Sequence, residues 1–323
     1  MSLKTQLLSA QCSTDLTQAA ELLKAGEQVA VPTETVYGLA ADASNPDAVA
    51  GIFTAKGRPA NHPLIVHLGD VASITEWAMQ IPDEAYKLAN AFWPGPMTLL
   101  LPRAEHVSPV VTGGLDTIGL RVPAQPVLLD LLTTHQLAVA APSANPYKKL
   151  SPTTAEQVMH GLGGKIAAVI DGGPCQHGLE STIVDLTKRP FRVLRAGPIT
   201  ASELSAVLGE TVDAPEQHDT VVPGNVGSHY QPNTRLQMVA ADLSDLPAPQ
   251  PEKRAALLHF GEAPTRDDLV CIAMPDDAAR YGQALYHQLA QADQLGVDEI
   301  WLALPPHGEA WLAVHDRLRR AVS

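Results

Sequence analysis

The chain has 323 residues, long enough for one large domain or two ordinary ones. Hydrophobic residues make up 45% and aromatic residues only 4%, so a core of Ala, Val, Leu and Ile is expected. A net charge of −13 and a pI near 5.3 argue against non-specific binding to nucleic acid, although a local basic cleft stays open.

The cysteines and the N-terminus indicate a cytoplasmic protein with no membrane association. Cys12, Cys175 and Cys271 are far apart and form no CxxC pair, which is typical of a reducing compartment. No apolar stretch reaches the roughly 18 residues that a membrane span needs. The N-terminus lacks the apolar block of a signal peptide.

The first part of the chain mixes short apolar runs with amphipathic ones. Ser13 is predicted to cap a helix that continues to Lys24. Strands are predicted at Gln28–Pro32, Leu64–Leu68, Met97–Leu101, Ile118–Val122, Ala138–Ala141, Ala167–Ile170, Thr182–Leu186 and Phe191–Leu194. Further helices are predicted at Pro46–Ala55, Asp83–Phe92, Pro126–Thr134 and Thr154–Leu162. The irregular order predicts an α/β domain with a large, open, twisted mixed sheet.

The composition changes between residues 205 and 235. Weak periodicity and several Pro and Gly residues between Glu210 and Asn233 indicate a linker. Beyond residue 205 lie 17 of the 35 acidic residues but only 8 of the 22 basic ones. Strands at Arg254–Phe260, Leu269–Met274 and Glu299–Leu304 and helices at Asp276–Leu295 and Glu309–Ala321 predict a small, doubly wound Rossmann-like domain. We therefore expect a domain at 1–208, a linker or lid at 209–235 and an accessory domain at 236–323.

The densest polar signal lies in VPTETVYGLAAD, residues 31–42, and KGRPANHPLIVH, residues 56–67. Lys56 and Arg58 flank Gly57, so two cations stand beside a backbone that a ligand can approach. This arrangement suits a triphosphate or a carboxylate, and a solvated basic turn is the alternative. The P-loop, GxGxxG, HExxH and GxSxG motifs are absent from the sequence, so any ATP site uses another scaffold.

A second polar cluster is APSANPYKKLSPT, residues 141–153. Ser143, Asn145 and Ser151 follow a predicted strand, and ligands of α/β proteins bind at strand ends. Their short donors and acceptors suit a phosphate or a ribose. Ordinary turn chemistry is the alternative, because Ser, Asn and Pro populate loops.

Two arginines and a serine lie at the margins of predicted strands. Arg121 stands in the apolar run IGLRVP, where a buried guanidinium needs an anion. That anion is either a protein carboxylate or a substrate carboxylate. Arg195 precedes a Gly-Pro turn in VLRAGPIT, and Ser181 begins the strand of LESTIVDL.

Clusters of histidines can bind metal ions, and two histidines lie near these segments. His62 and His67 lack acidic or cysteine partners at ligand spacing, so we expect substrate contact or a core position instead. His229 and Tyr230 in the linker either close over a site as a lid or pack as part of a loop.

Together these segments resemble the threonylcarbamoyl-AMP synthases of the YrdC/TsaC type. The resemblance rests on PTETVYGLAAD, KGRP with NHPLIVH, WPGPMTLLL, the RVP strand, APSAN with SPT, ESTIVDL and the LRAG turn, in this order. The linker with SHYQP and the acidic second domain look like the long, two-domain form. The resemblance implies an N-terminal YrdC-like fold around a basic cavity.

The resemblance also implies an activity and a set of site residues. The expected reaction joins L-threonine, bicarbonate or CO2 and ATP, with Mg²⁺, into threonylcarbamoyl-AMP and pyrophosphate. A downstream tRNA threonylcarbamoyl-transferase machinery would use the product, and weak contact with RNA is left open. Lys56 and Arg58 would act in catalysis, with Glu34 and His67 considered as general bases. The nucleotide contacts would be Arg58, His62, Thr117, Ser143, Asn145, Ser151, Arg195 and Tyr230. The threonine contacts would be Thr35, His67, Arg121, Ala141 and Ser181.

Two other functions compete with this interpretation. An RNA-binding protein of the same fold would lack nucleotidyl transfer, but the acidic charge and the lack of a basic, aromatic-rich strip count against it. A carbamoyl-transferring enzyme of hydrogenase maturation would carry Cys-rich zinc modules, which this sequence lacks.

Overall fold

The structure is a computed structural model that describes residues 4–215, 218–224, 229–250 and 252–322. Within these residues the strands form two sheets, one of ten strands and one of four. The strands of the large sheet are β1 (Gln6–Ser9), β2 (Val29–Val31), β3 (Gly38–Asp42), β4 (Ile65–His67), β5 (Met97–Pro102), β6 (Thr117–Arg121), β7 (Val139–Ala140), β8 (Ala168–Asp171), β9 (Thr182–Asp185) and β10 (Arg192–Arg195).

The helices of the first part lie between these strands. They are α1 (Ser13–Lys24), α2 (Pro46–Lys56), α3 (Ile74–Trp77), α4 (Asp83–Phe92), α5 (Pro126–His135), α6 (Ala155–Leu162) and α7 (Ala201–Leu208). The sheet order is β1-β8-β2-β3-β7-β4-β6-β5-β9-β10, and it combines parallel with antiparallel neighbours. The predicted mixed sheet is therefore confirmed.

The second sheet is built from the C-terminal part of the chain. Its strands are β11 (Arg235–Val239), β12 (Ala255–His259), β13 (Leu269–Ala273) and β14 (Glu299–Ala303), in the order β11-β14-β12-β13. All of its neighbours are parallel. Helix α8 (Ala278–Gln294) connects β13 with β14, and a 3-10 turn at Glu309–Trp311 leads into α9 (Leu312–Ala321). This alternation confirms the predicted small α/β fold.

Several elements differ from the sequence-based expectation. Strands β1, β3 and β11 and helices α3 and α7 were not predicted, because they are short or, like GLAAD in β3, rich in small residues with weak strand propensity. The predicted cap of α1 is wrong. Ser13 is already helical, Cys12 is the N-cap, and no side chain caps this end.

One hydrophobic cluster joins the two parts of the chain. Val36 and Leu179 from the first part pack in the same buried cluster as Leu285, Tyr286 and Leu289 of α8. Burial of shared apolar surface favours a fixed arrangement. The second sheet and its helices therefore lie against the end of the first sheet that carries residues 179–181.

The linker falls partly outside the described residues. Residues 216–217 and 225–228 of the predicted lid segment are among those that the structure does not describe. His229 and Tyr230 are described, and β11 begins at Arg235. The predicted domain limits stay a prediction. Across the described ranges, no helix combines the length and the apolar character that crossing a bilayer requires.

Candidate active site

A small cavity opens where several strands of the large sheet end. The residues that line it are Thr33, Thr35, Val36, Gly38, Arg58, Ile65, His67, Arg121, Ala141, Pro142, Ser143, Glu180, Ser181, Arg195, Pro223, Gly224, His229 and Tyr230. Three guanidinium groups therefore meet in one place, although the chain as a whole is acidic. Glu34 pairs with Arg121 and Glu180 also lines the cavity, so two carboxylates face three guanidinium groups, and the remaining positive charge favours an anionic ligand.

Lys56 lies behind this cavity and holds one of its walls. It is the last residue of α2, and Gly57 follows with φ of +63°, a left-handed turn that ends the helix. The Lys56 ammonium donates to the carbonyl oxygens of Ser143 and Asn145, both at 2.5 Å. Burial, reinforced by the nearby Arg58, holds the pKa of Lys56 well below its usual value. Lys56 therefore fixes the loop that presents Ser143 to the cavity.

Arg58 reaches the cavity from the turn after α2. Its Nη2 donates to the carbonyl oxygen of Pro63 at 3.0 Å. Burial lowers the pKa of Arg58 to about 10, so the guanidinium stays charged at neutral pH. His62 lies beside this turn, and its ring centroid is 5.6 Å from that of Tyr147. His62 is not among the residues that line the cavity.

Asn145 and Ser151 line a second cleft, of about 340 Å³. The Asn145 amide donates to the carbonyl oxygens of Pro146 and Lys149, which closes the turn. The Ser151 hydroxyl donates to Glu180 Oε1 at 2.6 Å. Asn145 and Ser151 are not among the residues that line the first cavity, but Ser151 contacts Glu180, which does line it.

Arg121, at the end of β6, is paired with a protein carboxylate. Its Nη2 lies 2.5 Å from Glu34 Oε1, and both side chains are almost fully buried. Nη1 donates to the Thr35 hydroxyl at 3.0 Å, and Nε donates to the carbonyl oxygen of Gly95 at 3.1 Å. Burial alone would raise the pKa of Glu34, but the Arg121 charge and hydrogen bond lower it overall. Of the two partners predicted for Arg121, the structure shows the protein carboxylate.

His67 and Ala141 line the cavity next to Arg121. Burial, with the Arg121 charge, lowers the pKa of His67 to about 3, so the imidazole is neutral at physiological pH. Ala141 donates its backbone N–H to the carbonyl oxygen of Ile65, which fixes the neighbouring strand end. Thr117 begins β6 at the end opposite to Arg121 and is not among the lining residues.

Arg195 and Ser181 form the opposite wall. Arg195 Nε donates to the Ser181 carbonyl oxygen and Nη2 to the Ser181 hydroxyl, both at 3.0 Å. That hydroxyl also lies 2.8 Å from the hydroxyl of Thr98. Arg195 Nη1 donates to the carbonyl oxygen of Pro223 at 3.0 Å, so it also holds the chain that covers the cavity.

Tyr230 closes the cavity from the linker. It is only 1% exposed, has φ of +61°, and its ring centroid lies 4.1 Å from that of His229. The volume of the cavity is about 50 Å³. Pockets that hold small molecules commonly measure roughly 300–1,000 Å³. The cavity in this arrangement is therefore smaller than a nucleotide requires.

Glu180 is a site residue that the sequence analysis quoted in LESTIVDL but did not assign. It lines the cavity and accepts from Ser151, from Tyr286 at 3.1 Å and from Arg317 Nε at 2.8 Å. Burial would raise its pKa, but Arg317 and Arg195, with these hydrogen bonds, lower it to about 2. One feature of the sequence does point to a buried carboxylate. Arg317 lies on the apolar side of the last predicted helix, where a buried guanidinium group needs a counter-ion.

Comparison with known proteins gives the family of this fold and site. Residues 21–197 match the Sua5/YciO/YrdC family model, which carries the description telomere recombination. Residues 199–323 match the model of the threonylcarbamoyl-AMP synthase C-terminal domain. The chain belongs to the Sua5/YciO/YrdC family.

Relatives of this Sua5/YciO/YrdC chain carry a common name. It is 39% identical to the threonylcarbamoyl-AMP synthase of Pyrococcus abyssi, over 94% of this chain and 92% of that protein. It is 44% identical to the threonylcarbamoyl-AMP synthase of Bacillus subtilis, over 68% of this chain and 65% of that protein. The crystal structure of P. abyssi Sua5 complexed with L-threonine matches with a TM-score of 0.87 and 35% identity, over 98% of this chain and 97% of that one.

Proposed function

We propose that this chain is an L-threonylcarbamoyladenylate synthase, a nucleotidyltransferase that makes threonylcarbamoyl-AMP from L-threonine, bicarbonate or CO2 and ATP. The observation that carries the proposal is the meeting of Arg58, Arg121 and Arg195 around one cavity. The relatives named threonylcarbamoyl-AMP synthase and the threonine complex of P. abyssi Sua5 support it.

The threonine end of the proposed site contains Thr35, His67, Arg121, Ala141 and Ser181. Arg121 already contacts one carboxylate, that of Glu34, so its geometry suits carboxylate binding. A neutral His67 adds no charge that would repel the ammonium group of threonine. After the ammonium group has lost a proton to solvent, the amine forms a C–N bond either with CO2, which releases a second proton to solvent, or with bicarbonate, which releases water, and an N-carboxylate results.

The nucleotide end is proposed to contain Arg58, Ser143 and Arg195, with Lys56 holding the loop that carries Ser143. An oxygen of the N-carboxylate attacks the α-phosphorus of ATP, a new P–O bond forms, and the bond to pyrophosphate breaks. Two anions must approach each other in this step. The cations of Arg58 and Arg195 lower that repulsion and stabilise the charge on the leaving group.

The remaining proposed nucleotide contacts are His62, Thr117, Asn145, Ser151 and Tyr230. Tyr230 stands over the cavity and Arg195, where it can cover a bound nucleotide. Asn145 and Ser151 face the neighbouring cleft, and Thr117 lies at the far end of β6. Both are linked to the first cavity, Ser151 through Glu180 and Asn145 through Lys56, which also holds Ser143.

Mg²⁺ is proposed to arrive with ATP. Among the residues that the structure describes, no group of three or more His, Cys, Asp or Glu side chains is suited to a metal ion. Mg²⁺ in nucleotide enzymes is commonly held by substrate phosphates and waters with few protein ligands.

We further propose the division into a catalytic domain at 1–208, a linker or lid at 209–235 and an accessory domain at 236–323. The product would pass, in the cytoplasm, to the machinery that completes threonylcarbamoyladenosine in tRNA. Weak contact with RNA would fit that role.

The test is pyrophosphate release from ATP with bicarbonate present, across the twenty amino acids. We expect release that requires both threonine and bicarbonate and that collapses in Arg58→Met. Arg235→Met is the matched control, because Arg235 is 61% exposed and is not among the residues that line the cavity. Absence of release together with retention of RNA on a filter would replace the catalytic proposal by the RNA-binding one.

A further inference from the structure

We propose that Arg317 and Tyr286, from the C-terminal part of the chain, are positioning residues for the active site. They act through Glu180, and they hold the two strand ends that present Ser181 and Arg195. The inference rests on the proposed function, because it concerns the same cavity, and it assigns the C-terminal helices a direct part in shaping that cavity.

Arg317 joins three points of the first part of the chain. The residue lies in α9 and is fully buried, with 0% exposure. Its Nε donates to Glu180 Oε2 at 2.8 Å, Nη1 donates to the Ala196 carbonyl oxygen at 2.9 Å, and Nη2 approaches the Glu180 carbonyl oxygen at 3.4 Å. The planar guanidinium thus fixes a carboxylate and two main-chain oxygens at once.

Those two main-chain oxygens are next to proposed substrate contacts. Glu180 directly precedes Ser181, and Ala196 directly follows Arg195. Arg195 and Ser181 are themselves joined by two hydrogen bonds. A displacement of the Arg317 guanidinium group would therefore move Ser181 and Arg195 together. The Lys56 loop and Arg121 belong to other elements and would not move with them.

Tyr286 completes the environment of Glu180. Its hydroxyl, from α8, donates to Glu180 Oε2 at 3.1 Å, and Ser151 donates to Oε1 at 2.6 Å. A buried carboxylate needs such partners, because an unpaired charge away from water is strongly unfavourable. Helices α8 and α9 thus supply two of the side chains that keep Glu180 ionised and in place beside the cavity.

A role confined to holding the two parts of the chain together is the competing explanation. It predicts that changes at Arg317 and Tyr286 lower thermal stability without changing the catalytic constants of the folded protein. A positioning role predicts altered kcat or KM at temperatures where the variant is fully folded. The two explanations are separated by kinetic constants measured beside a melting curve.

The cleaner comparison uses two tyrosines of the same helix. Tyr286→Phe removes the hydroxyl that donates to Glu180. Tyr281→Phe is the matched control, because Tyr281 is equally buried in α8, and its hydroxyl has no hydrogen-bond partner among the described residues. We expect kcat/KM for pyrophosphate release to fall roughly tenfold in Tyr286→Phe, because the variant loses a hydrogen bond to a charged group. Tyr281→Phe should match the wild type.

The second comparison uses two arginines of α9. Arg317→Lys keeps the positive charge but removes the planar guanidinium group. Arg319→Lys makes the same change at an arginine that is 60% exposed. We expect kcat/KM to fall about 100-fold in Arg317→Lys, as for a misplaced substrate contact. Arg319→Lys should be unchanged. In the double variant Tyr286→Phe/Arg317→Lys the losses should be less than additive, because both act through Glu180.

The outcomes separate this inference from the proposed function. A wild-type protein that releases no pyrophosphate contradicts the proposed function itself. An active wild type whose folded Tyr286→Phe and Arg317→Lys variants have unchanged kcat and KM overturns only the positioning role. Calorimetric titration with threonine adds a readout that needs no turnover, and weaker binding in Arg317→Lys than in Arg319→Lys is the expected result.

Discussion

Arg121 and Glu34 form a buried ion pair at the proposed threonine end of the cavity, with 2.5 Å between Nη2 and Oε1. Their side chains are only 4% and 3% exposed, so neither charge is solvated by bulk water. Glu34 follows β2 and Arg121 ends β6, so the pair joins two strands that are not neighbours in the sheet. The pair therefore links strand packing to the geometry of the site.

Replacement of Glu34 by Gln should be costly for stability. The change leaves the Arg121 charge buried without its counter-ion, and we expect the free energy of unfolding to fall by about 3–5 kcal/mol. Urea denaturation at neutral pH measures it. Glu84→Gln is the control, because its partner Arg189 is 54% exposed and a surface ion pair contributes little to stability. Equal losses in both variants would contradict the prediction.

Acidification should weaken the structure through Glu180. Its pKa falls from a usual 4.5 to about 2 in the folded protein, so its stabilising contribution is complete above about pH 4.5 and is lost as the pH falls toward 2. The contribution amounts to about 3 kcal/mol. The difference in unfolding free energy between the wild type and Glu180→Gln should shrink as the pH decreases from about 5 to about 3. A constant difference over that range would rule the effect out.

Lys56 should affect the enzyme by holding the 143–145 loop. Lys56→Met removes the donor from two carbonyl oxygens, at a cost of about 1–3 kcal/mol for each that stays buried and unpaired. Because Ser143 moves with the loop, pyrophosphate release should fall about 100-fold. The exposed Lys165→Met serves as control. A variant that keeps its melting temperature but loses activity would instead favour direct phosphate contact by Lys56.

Closure by Tyr230 should depend on the space beside Gly224. A Cβ at Gly224 would collide with the Tyr230 hydroxyl, and its φ of +81° strains any other residue. Gly209→Ala is a matched control, since Gly209 has φ of +71° but no atom within 4 Å of its added Cβ. We expect Gly224→Ala, and not Gly209→Ala, to raise the KM for ATP. Chymotrypsin cleavage after Tyr230, which is buried in the closed arrangement, should also become faster, and equal KM values would refute the proposed role of this contact.

Much of the fold was accessible from local sequence patterns. Continuous apolar runs predicted β5 and β6, and α4 matches its predicted limits at Asp83 and Phe92. Strand β3 escaped prediction because GLAAD carries small residues, and only its central place in the sheet makes it a strand. Patterns of this kind report interactions between residues a few positions apart.

The features of the site also divide into those that the sequence determines and those that only the tertiary structure determines. The sequence by itself determined which residue types are available, and it placed Arg58, Arg121 and Arg195 at ends of predicted elements, where a cavity could form. Only the tertiary structure decided their partners: Glu34 for Arg121, and Ser181 and Pro223 for Arg195. It also brought Arg317 to Glu180 across 137 residues of chain. The physical reason is that a buried charge takes whichever counter-charge the packing of distant elements brings within reach, and no local pattern encodes that choice.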